Sequence, residues 1–580
     1  MKLQAVQKQY TIGGDYMTKK LKSPIAFLTV FAMLLSMLLY FPAGTFGGFD
    51  LGLRASAAVS STVPSGDGTE ANPYKIGTVS ELYWFMQNAG NTSKHYMLTN
   101  NITLNSRVLA ADGSPNSGPF ETWTPVSDFR GVFDGNDKTI SGLYINSTSD
   151  YMGFFGECGQ GNDGPTIKKL TIIDSYVKGG EKVGGIIANI DGGLLEKCTF
   201  MGTVEGTKSV GGVCGYSYFA GVYSGDIPSG SLLNCASYGN VSGNERIGGI
   251  VGDIYSSSLT SCKHTATGCK NYATVSGETL VGGLFGFYAF SEINLIDCHN
   301  FGNVTATGEN AGGLFGGSNG AFRGTGINAI SNIINCTNSG NVVGSNHVGG
   351  ICGCTYDQNA PYRDLHIKNC TNSGSVTGTN FVGGLVSYLL SDSTIENCSN
   401  SGDVSGSEDV GGVCGYGSST ATISDCFNTG TITGTSSSIG GILGEAYTTS
   451  IYRCYNEGNI VGTGAQYVGG IYGGELYSPC YVYDSYNLGN VTGKKYVSGI
   501  GGEYCTAKYC FSMGEVTGET NISGICCPNT LSNAATGCAF YGDSTFNSNT
   551  FRDEGLKKDL SAFTSGEVAY LMQEGGGKWG

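Results

Sequence analysis

The stretch Cys398-Ser-Asn-Ser-Gly-Asp-Val-Ser-Gly406, with Val410-Gly-Gly-Val-Cys-Gly415 after it, decides how this chain is read. Its successor repeats the pattern as Cys426-Phe-Asn-Thr-Gly-Thr-Ile-Thr-Gly434 and Ile439-Gly-Gly-Ile-Leu-Gly444. Cys370, Cys398, Cys426 and Cys454 follow one another at intervals of 28 residues. Outward from there the V-G-G element recurs at Val183, Val210, Ile247, Val281, Ala311, Val348, Val382 and Val468, then fades to Val497-Ser-Gly and Ile522-Ser-Gly. Counted together, these are 12 units. Such self-similarity marks a repeat architecture, in which a unit too small to bury its apolar face alone stacks on its neighbours.

Each unit carries three short apolar stretches with two-residue alternation: V-x-G (Val376, Val404, Ile432, Ile460), V-G-G-I, and I-x-x-C. Glycines such as Gly340, Gly374, Gly402, Gly430 and Gly458 separate them, and are expected at bends with positive φ. With 96 Gly in 580 residues, paired helices are excluded. A propeller blade needs four strands and about 40 residues. The expected fold is therefore all-β: a right-handed parallel β-helix of about twelve three-strand coils, ~4.8 Å apart, with capping helices at both ends.

The domain reading follows. Residues 1–57 read as a signal peptide with an upstream mis-start: Met17, a basic Lys19-Lys20-Leu-Lys22, an apolar run from Ile25 to Phe41, and Ala55-Ser-Ala57 as cleavage site. An uncleaved anchor is the alternative. Residues 58–180 hold an N-terminal cap helix, opened by Thr78-Val-Ser-Glu81, and the first coils; residues 181–545 are the solenoid. Residues 546–580 form a C-terminal cap helix, opened by Thr564-Ser-Gly-Glu567 and read as truncated at Gly580. The expected location is secreted, extracellular, on a bacterial cell surface, with membrane contact only through the signal or a missing anchor. Composition agrees: 31 Lys+Arg against 46 Asp+Glu give −15, which excludes nucleic acid as a partner held by the overall field.

Of 21 cysteines, eleven share one repeat column: 198, 235, 269, 298, 336, 370, 398, 426, 454, 510 and 538. Cys214, Cys352, Cys414 and Cys526 stand where other units carry Val251, Phe285, Phe315, Val386 or Leu443, so a thiol there behaves as a small hydrophobe. Core-filling thiols are the favoured reading; disulfides and a metal site are the alternatives. Asn271, Asn300, Asn338, Asn372, Asn400, Asn428, Asn456 and Asn487 recur in eight successive units, expected as an inward amide ladder rather than a row presented to a ligand.

The motif resembles the GLUG repeat, Gly-Leu-hydrophobic-Gly. Gly283-Leu-Phe-Gly286 and Gly313-Leu-Phe-Gly316 match literally, Gly412-Val-Cys-Gly415 and Gly441-Ile-Leu-Gly444 are relaxed forms, and Gly384-Leu-Val-Ser387 departs at its last position. The resemblance, over about residues 183–525, implies a bacterial surface protein, adhesin-like, of a kind also found in the non-catalytic part of IgA-cleaving metallopeptidases. It implies no reaction: H-E-x-x-H is absent and His95, His264, His299, His347 and His366 are scattered.

Two functions are weighed: a non-catalytic adhesin, binding scaffold or spacer, and a carbohydrate-active β-helix enzyme (polysaccharide lyase or glycoside hydrolase). An enzyme needs paired carboxylates across a groove. Asp297, Asp425 and Asp484 share a column broken by Asn335, Asn369, Asn397 and Arg453, and Glu408-Asp409 lies on a turn, so these acids read as solvated. No catalytic residue, cofactor or metal is expected. The early units carry insertions between the V-G-G stretch and the I-x-x-C stretch. Insertions at one corner of successive coils project from one side. Their aromatic and Arg residues Tyr216, Tyr218, Phe219, Tyr223, Phe287, Tyr288, Arg323, Tyr356, Tyr362 and Arg363 are the candidate binding residues for a glycan or protein of a host or neighbouring cell, or they merely cover coil edges.

Overall fold

The computed structural model describes residues 60–159, 164–219, 231–256, 263–289, 292–319, 329–354, 363–474, 479–527, 535–541 and 556–574. One coil shows the plan. Thr371–Asn372 and Val376–Thr377 lie in a first sheet, Asn380–Gly383 in a second, Val386–Leu389 in a third, and Thr394–Glu396 returns to the first. The second sheet stacks twelve strands in chain order, from Glu181–Gly184 to Thr520–Ser523. Its core column runs in register through Val183, Val210, Ile247, Val281, Ala311, Val348, Val382, Val410, Ile439, Val468, Val497 and Ile522, each pairing parallel. This is the parallel β-solenoid that the repeats imply, one coil per unit.

The V-G-G-I stretch is not the single strand its alternation suggests. It breaks at the glycines: Glu408–Gly411 belongs to the second sheet and Cys414–Gly417 to the third. A Cβ on Gly411 would stand 1.9 Å from the Cys414 carbonyl oxygen, so only glycine lets the chain fold back here. Gly412, the first motif glycine, faces the next coil: a Cβ would meet the Gly441 oxygen at 2.1 Å and the Asn428 amide carbon at 2.6 Å. Gly340, Gly374, Gly402, Gly430 and Gly458 do not take the positive φ expected of them. They are required by close approach, since a Cβ on Gly402 would lie 2.0 Å from the Gly374 oxygen.

Left-handed backbone falls instead on two other columns. One precedes the column cysteine, through Asp297, Asn335, Asn369, Asn397, Asp425, Arg453 and Asp484; the other precedes the V-G-G valine, through Lys182, Ser209, Arg246, Leu280, His347, Phe381, Asp409 and Ser438. Asn and Asp tolerate this conformation best, which explains the first column. Bulky residues such as Phe381 hold it in the second because in-register neighbours fix them on both sides.

The interior is packed columns. All 19 described thiols that the structure places are buried and unbridged. In the main column, backbone N–H groups of Cys298, Cys336 and Cys370 donate to the sulfur one coil on at 3.4, 3.4 and 3.3 Å. Ser485 substitutes for Cys and keeps the geometry, accepting from the Cys454 N–H at 3.1 Å and donating to the Tyr483 oxygen at 2.7 Å. Beside them runs the amide ladder: seven Nδ2–Oδ1 bonds of 2.7–2.8 Å link Asn271 through Asn487. Each Asn also donates to the oxygen two residues on, as Asn400 does to Gly402 at 2.7 Å.

Helix α1, Val79–Asn88, covers the first end. Thr78 accepts from the Glu81 N–H at 3.3 Å while Glu81 accepts from the Gly77 N–H at 2.8 Å. Its Phe85 sits among Tyr96, Phe129, Phe133, Phe154 and Phe155 with centroids 4.8–6.2 Å away. At the other end Thr564 is not a cap: it closes helix α2, Leu560–Thr564, whose cap is Asp559, and α3 spans Glu567–Glu574. The segment 1–57 lies outside the described residues.

Candidate functional site

Where the early units carry insertions, the third-sheet strands lengthen: Cys214–Phe219, Val251–Ser256 and Phe285–Ala289, against Val386–Leu389 and Cys414–Gly417 later. Past Gly215 the strand has two aspects. Ile190, Ser217, Ile254 and Tyr288 pair in register on the inner side; Asn189, Tyr216, Asp253 and Phe287 pair on the outer. The outer column forms a seam with the left-handed corner residues of the second sheet, which lean across it.

At this seam the ammonium of Lys182 sits 4.4 Å from the Tyr216 ring centroid and 4.8 Å from that of Tyr151, and donates to the Tyr151 hydroxyl at 3.2 Å. Tyr216 stacks on Tyr218 at 6.4 Å, and Tyr218 on Tyr255 at 5.8 Å. All four of Lys182, Tyr151, Tyr216 and Tyr218 are half-buried. Burial holds the Tyr216 phenol above its ordinary range. One coil on, Arg246 Nη1 meets the fully buried Asp253 Oδ2 at 2.7 Å, Ser209 donates to the same oxygen at 3.3 Å, and the guanidinium lies 4.4 Å from the Phe287 ring centroid. Burial raises the Asp253 carboxyl, and Arg246 opposes it by charge and hydrogen bond. Asn189 donates to Glu157 Oε1 at 2.9 Å. Asn189 Oδ1 and Asp253 Oδ1, both buried, receive no hydrogen bond among the described residues.

The sequence-derived candidates separate. Tyr216 and Tyr218 stand at the surface of the seam. Phe287 and Tyr288 do not project: they are 5% and 3% exposed, Phe287 beneath Arg246 and Tyr288 turned into the core beside Phe315. Insertion into a loop is thus the wrong picture for these two; the strand continues through them. Phe219 and Arg363 lie at strand ends. Tyr223, Arg323, Tyr356 and Tyr362 lie outside the described residues. Lys182, Asn189, Arg246 and Asp253 were not singled out, although their signal is legible: Lys182 and Arg246 immediately precede a V-G-G element, and Asp253 follows a motif's last glycine.

The acids weighed for catalysis are engaged. Asp425 accepts both Arg453 donors at 2.6 Å, and the Arg453 hydrogen bond holds its carboxyl below the ordinary range. Asp297 ends an outer amide ladder, accepting from Asn335 at 3.1 Å, which accepts from Asn369 at 3.1 Å, which accepts from Asn397 at 2.7 Å. Glu408 and Asp409 are not on a solvated turn but on a second-sheet strand, with Asp409 4% exposed. No group of three or more His, Cys, Asp or Glu fit to hold a metal occurs among the described residues.

A second outer feature lies on the first sheet. Phe427, Tyr455, Tyr486 and Phe511 stack one per coil, with centroids 4.9 Å apart and planes within 3°. Tyr455 and Tyr486, the inner members, have a ring of the stack on each face.

Comparison with known proteins agrees with the motif reading. The model of the GLUG motif matches residues 378–405. Halomucin of Haloquadratum walsbyi is 31% identical over 153 residues, 26% of this chain and 2% of that protein. A protein of Evansella cellulosilytica described as a Gly-rich membrane protein is 29% identical over 146 residues, 24% of this chain and 16% of that one. The match therefore spans a small part of either relative. A Bacteroides ovatus protein described as an immunoglobulin A1 protease aligns in structure over 64% of this chain and 79% of its own, at 16% identity and a TM-score of 0.30. The motif match at residues 378–405 falls on one of twelve in-register coils that share its pattern.

Proposed function

We propose that the protein is a non-catalytic, surface-displayed solenoid that acts as an adhesin or binding scaffold, its contact region being the seam around Tyr216 and Tyr218. The observation that carries this reading is the contrast between inside and outside. Among the described residues the inner columns are filled mainly by apolar side chains, thiols and mutually bonded amides, so recognition falls to the outer columns, where aromatic rings and a lysine share one half-buried corner. The names of the two relatives, a mucin and a membrane protein, support an extracellular or surface location. No helix among the described residues is long and apolar enough to cross a membrane.

The test is binding of the full chain to a glycan array and to cells, beside the double variant Tyr216→Ala, Tyr218→Ala. The reading expects specific binding that the variant loses while its urea midpoint stays unchanged. Equal binding by both proteins would remove the seam from the proposal. Turnover of a polysaccharide, abolished by one carboxylate substitution, would replace it with the enzyme reading.

A further inference from the structure

The inner column of the third sheet changes character toward its end. Through Cys414, Leu443, Tyr472, Gly501 and Cys526 it keeps its register, but past the strand Leu443–Ala446 it continues as single bridge pairs. Gly501 holds its place in that column without a side chain. Cys505, from the first-sheet strand Cys505–Lys508, fills the space: a Cβ on Gly501 would stand 2.1 Å from Cys505 Sγ and 2.4 Å from Cys505 Cβ. The same Cβ would stand 3.6 Å from the Sγ of Cys526, one coil on. Both sulfurs therefore border one small space, and the two side chains are hydrogen-bonded to each other. Both residues are thiols, 0% and 6% exposed.

This pair differs from the stacked thiols of the main column. There the side chains leave parallel strands side by side, so successive Cβ atoms keep the coil spacing of about 4.8 Å, beyond the ~3.8 Å that a disulfide prefers. Cys480 and Cys505, in register on the first sheet, are of that kind. Cys505 and Cys526 instead enter the core from different sheets and meet at the space beside Gly501, so the coil spacing does not hold them apart. We infer that Cys505 and Cys526 form a disulfide site, closed by exchange with a small disulfide oxidant such as glutathione disulfide. The Cys526 thiolate attacks one sulfur of the oxidant and expels a thiolate; the Cys505 thiolate then attacks Cys526 Sγ and expels the second. One S–S bond forms and one breaks, the two protein thiols give up two protons and two electrons, and the oxidant leaves as two thiols. The bridge ties the segment around Cys526, which the third sheet holds through the bridge pair with Gly501, to the first sheet of the preceding coil. It staples the end of the solenoid in an oxidising compartment and opens in a reducing one.

The test holds the reduced full chain in a glutathione redox buffer, alkylates the remaining thiols in urea, and maps the proteolytic fragments by mass spectrometry. The expected product is a cross-linked peptide pair joining Cys505 to Cys526, retained in Cys480→Ser and lost in Cys526→Ser. In the oxidised protein, amide hydrogen exchange over residues 520–527 should slow at least about tenfold and recover on reduction with dithiothreitol. Cys526→Ser should exchange equally in both buffers; if that variant does not fold, the map of the parent chain decides. Where the native chain does not react, refolding from urea in the same buffer removes access as the limit. No Cys505–Cys526 bridge by either route overturns the assignment. So does a bridge found instead between Cys480 and Cys505 or within the main column, and so does exchange over residues 520–527 that is the same in both redox states.

Discussion

Ser387 shows what a single motif position is for. It occupies the last place of Gly384-Leu-Val-Ser387, where Gly415 and Gly444 stand in the next coils; it is fully buried, and its hydroxyl has no partner among the described residues. Ser387→Ala removes the stranded hydroxyl without removing the Cβ already accommodated, and is expected to raise stability by about 1 kcal/mol. A fall in the urea midpoint would show that the hydroxyl is satisfied. Cys426 gives the converse case. Its thiol donates to the Ser424 oxygen at 3.1 Å, and Ser485 performs the same task in this column, so Cys426→Ser should cost less than about 1 kcal/mol. Cys426→Ala, which removes both the donor and the volume, should cost about 1–3 kcal/mol by the same measurement. At this scale much was legible: a residue that exchanges with Phe and Val had to be inside. What was not legible is the reason for the glycines. Sequence alone cannot separate a glycine needed for positive φ from one needed because a neighbouring coil's carbonyl lies 2 Å from its missing Cβ, and Gly402 is the second kind.

The element that most rewards the repeat is the asparagine ladder, because an internal rung is bonded on both sides. Asn400 accepts from Asn372 at 2.8 Å and donates to Asn428 at 2.8 Å and Gly402 at 2.7 Å. Asn400→Leu strands three buried groups and is expected to cost about 3 kcal/mol or more. The ladder stops at Ser512, where Asn487 finds a hydroxyl at 3.4 Å instead of an amide. Gly499 faces Ser512 as Gly470 faces Asn487, so the space an amide needs is present. Ser512→Asn should extend the ladder by one rung and raise stability by about 1 kcal/mol; destabilisation would mean that register is already lost in the last coils. The ladder was legible because its period is the coil's period. The seam was not, for the opposite reason. Lys182, Tyr216 and Asp253 belong to three different coils and to columns whose residue type changes at every step, so no spacing rule joins them. Phe287 and Tyr288 misled for a related reason: extra residues between two motifs read as a loop, whereas here they first lengthen a strand.

Across the whole molecule, the buried thiols couple the solenoid to pH. Burial pushes Cys158 up to about 12 and drives Cys214, Cys414 and Cys480 higher still, against an ordinary value near 9. These groups stay protonated in the folded chain at pH values where the unfolded chain has lost the proton. Their contribution is therefore complete below pH 9 and falls as pH rises toward the folded values, by about 1.4 kcal/mol per pH unit for each thiol. Under reducing conditions the urea midpoint should drop steeply between pH 9 and 10.5. Cys214 and Cys414 stand in a column whose other members include Val251, Val386 and Leu443, so replacing both with Val should preserve packing. That double variant should match the parent at pH 7.5 and lose stability more slowly above pH 9, by two thiols' worth of slope. Tyrosines and lysines titrate in the same range, but they are common to both proteins and cancel in the difference. Parallel pH profiles would mean that the two thiols ionise in the folded state, and hence that water reaches the third-sheet column.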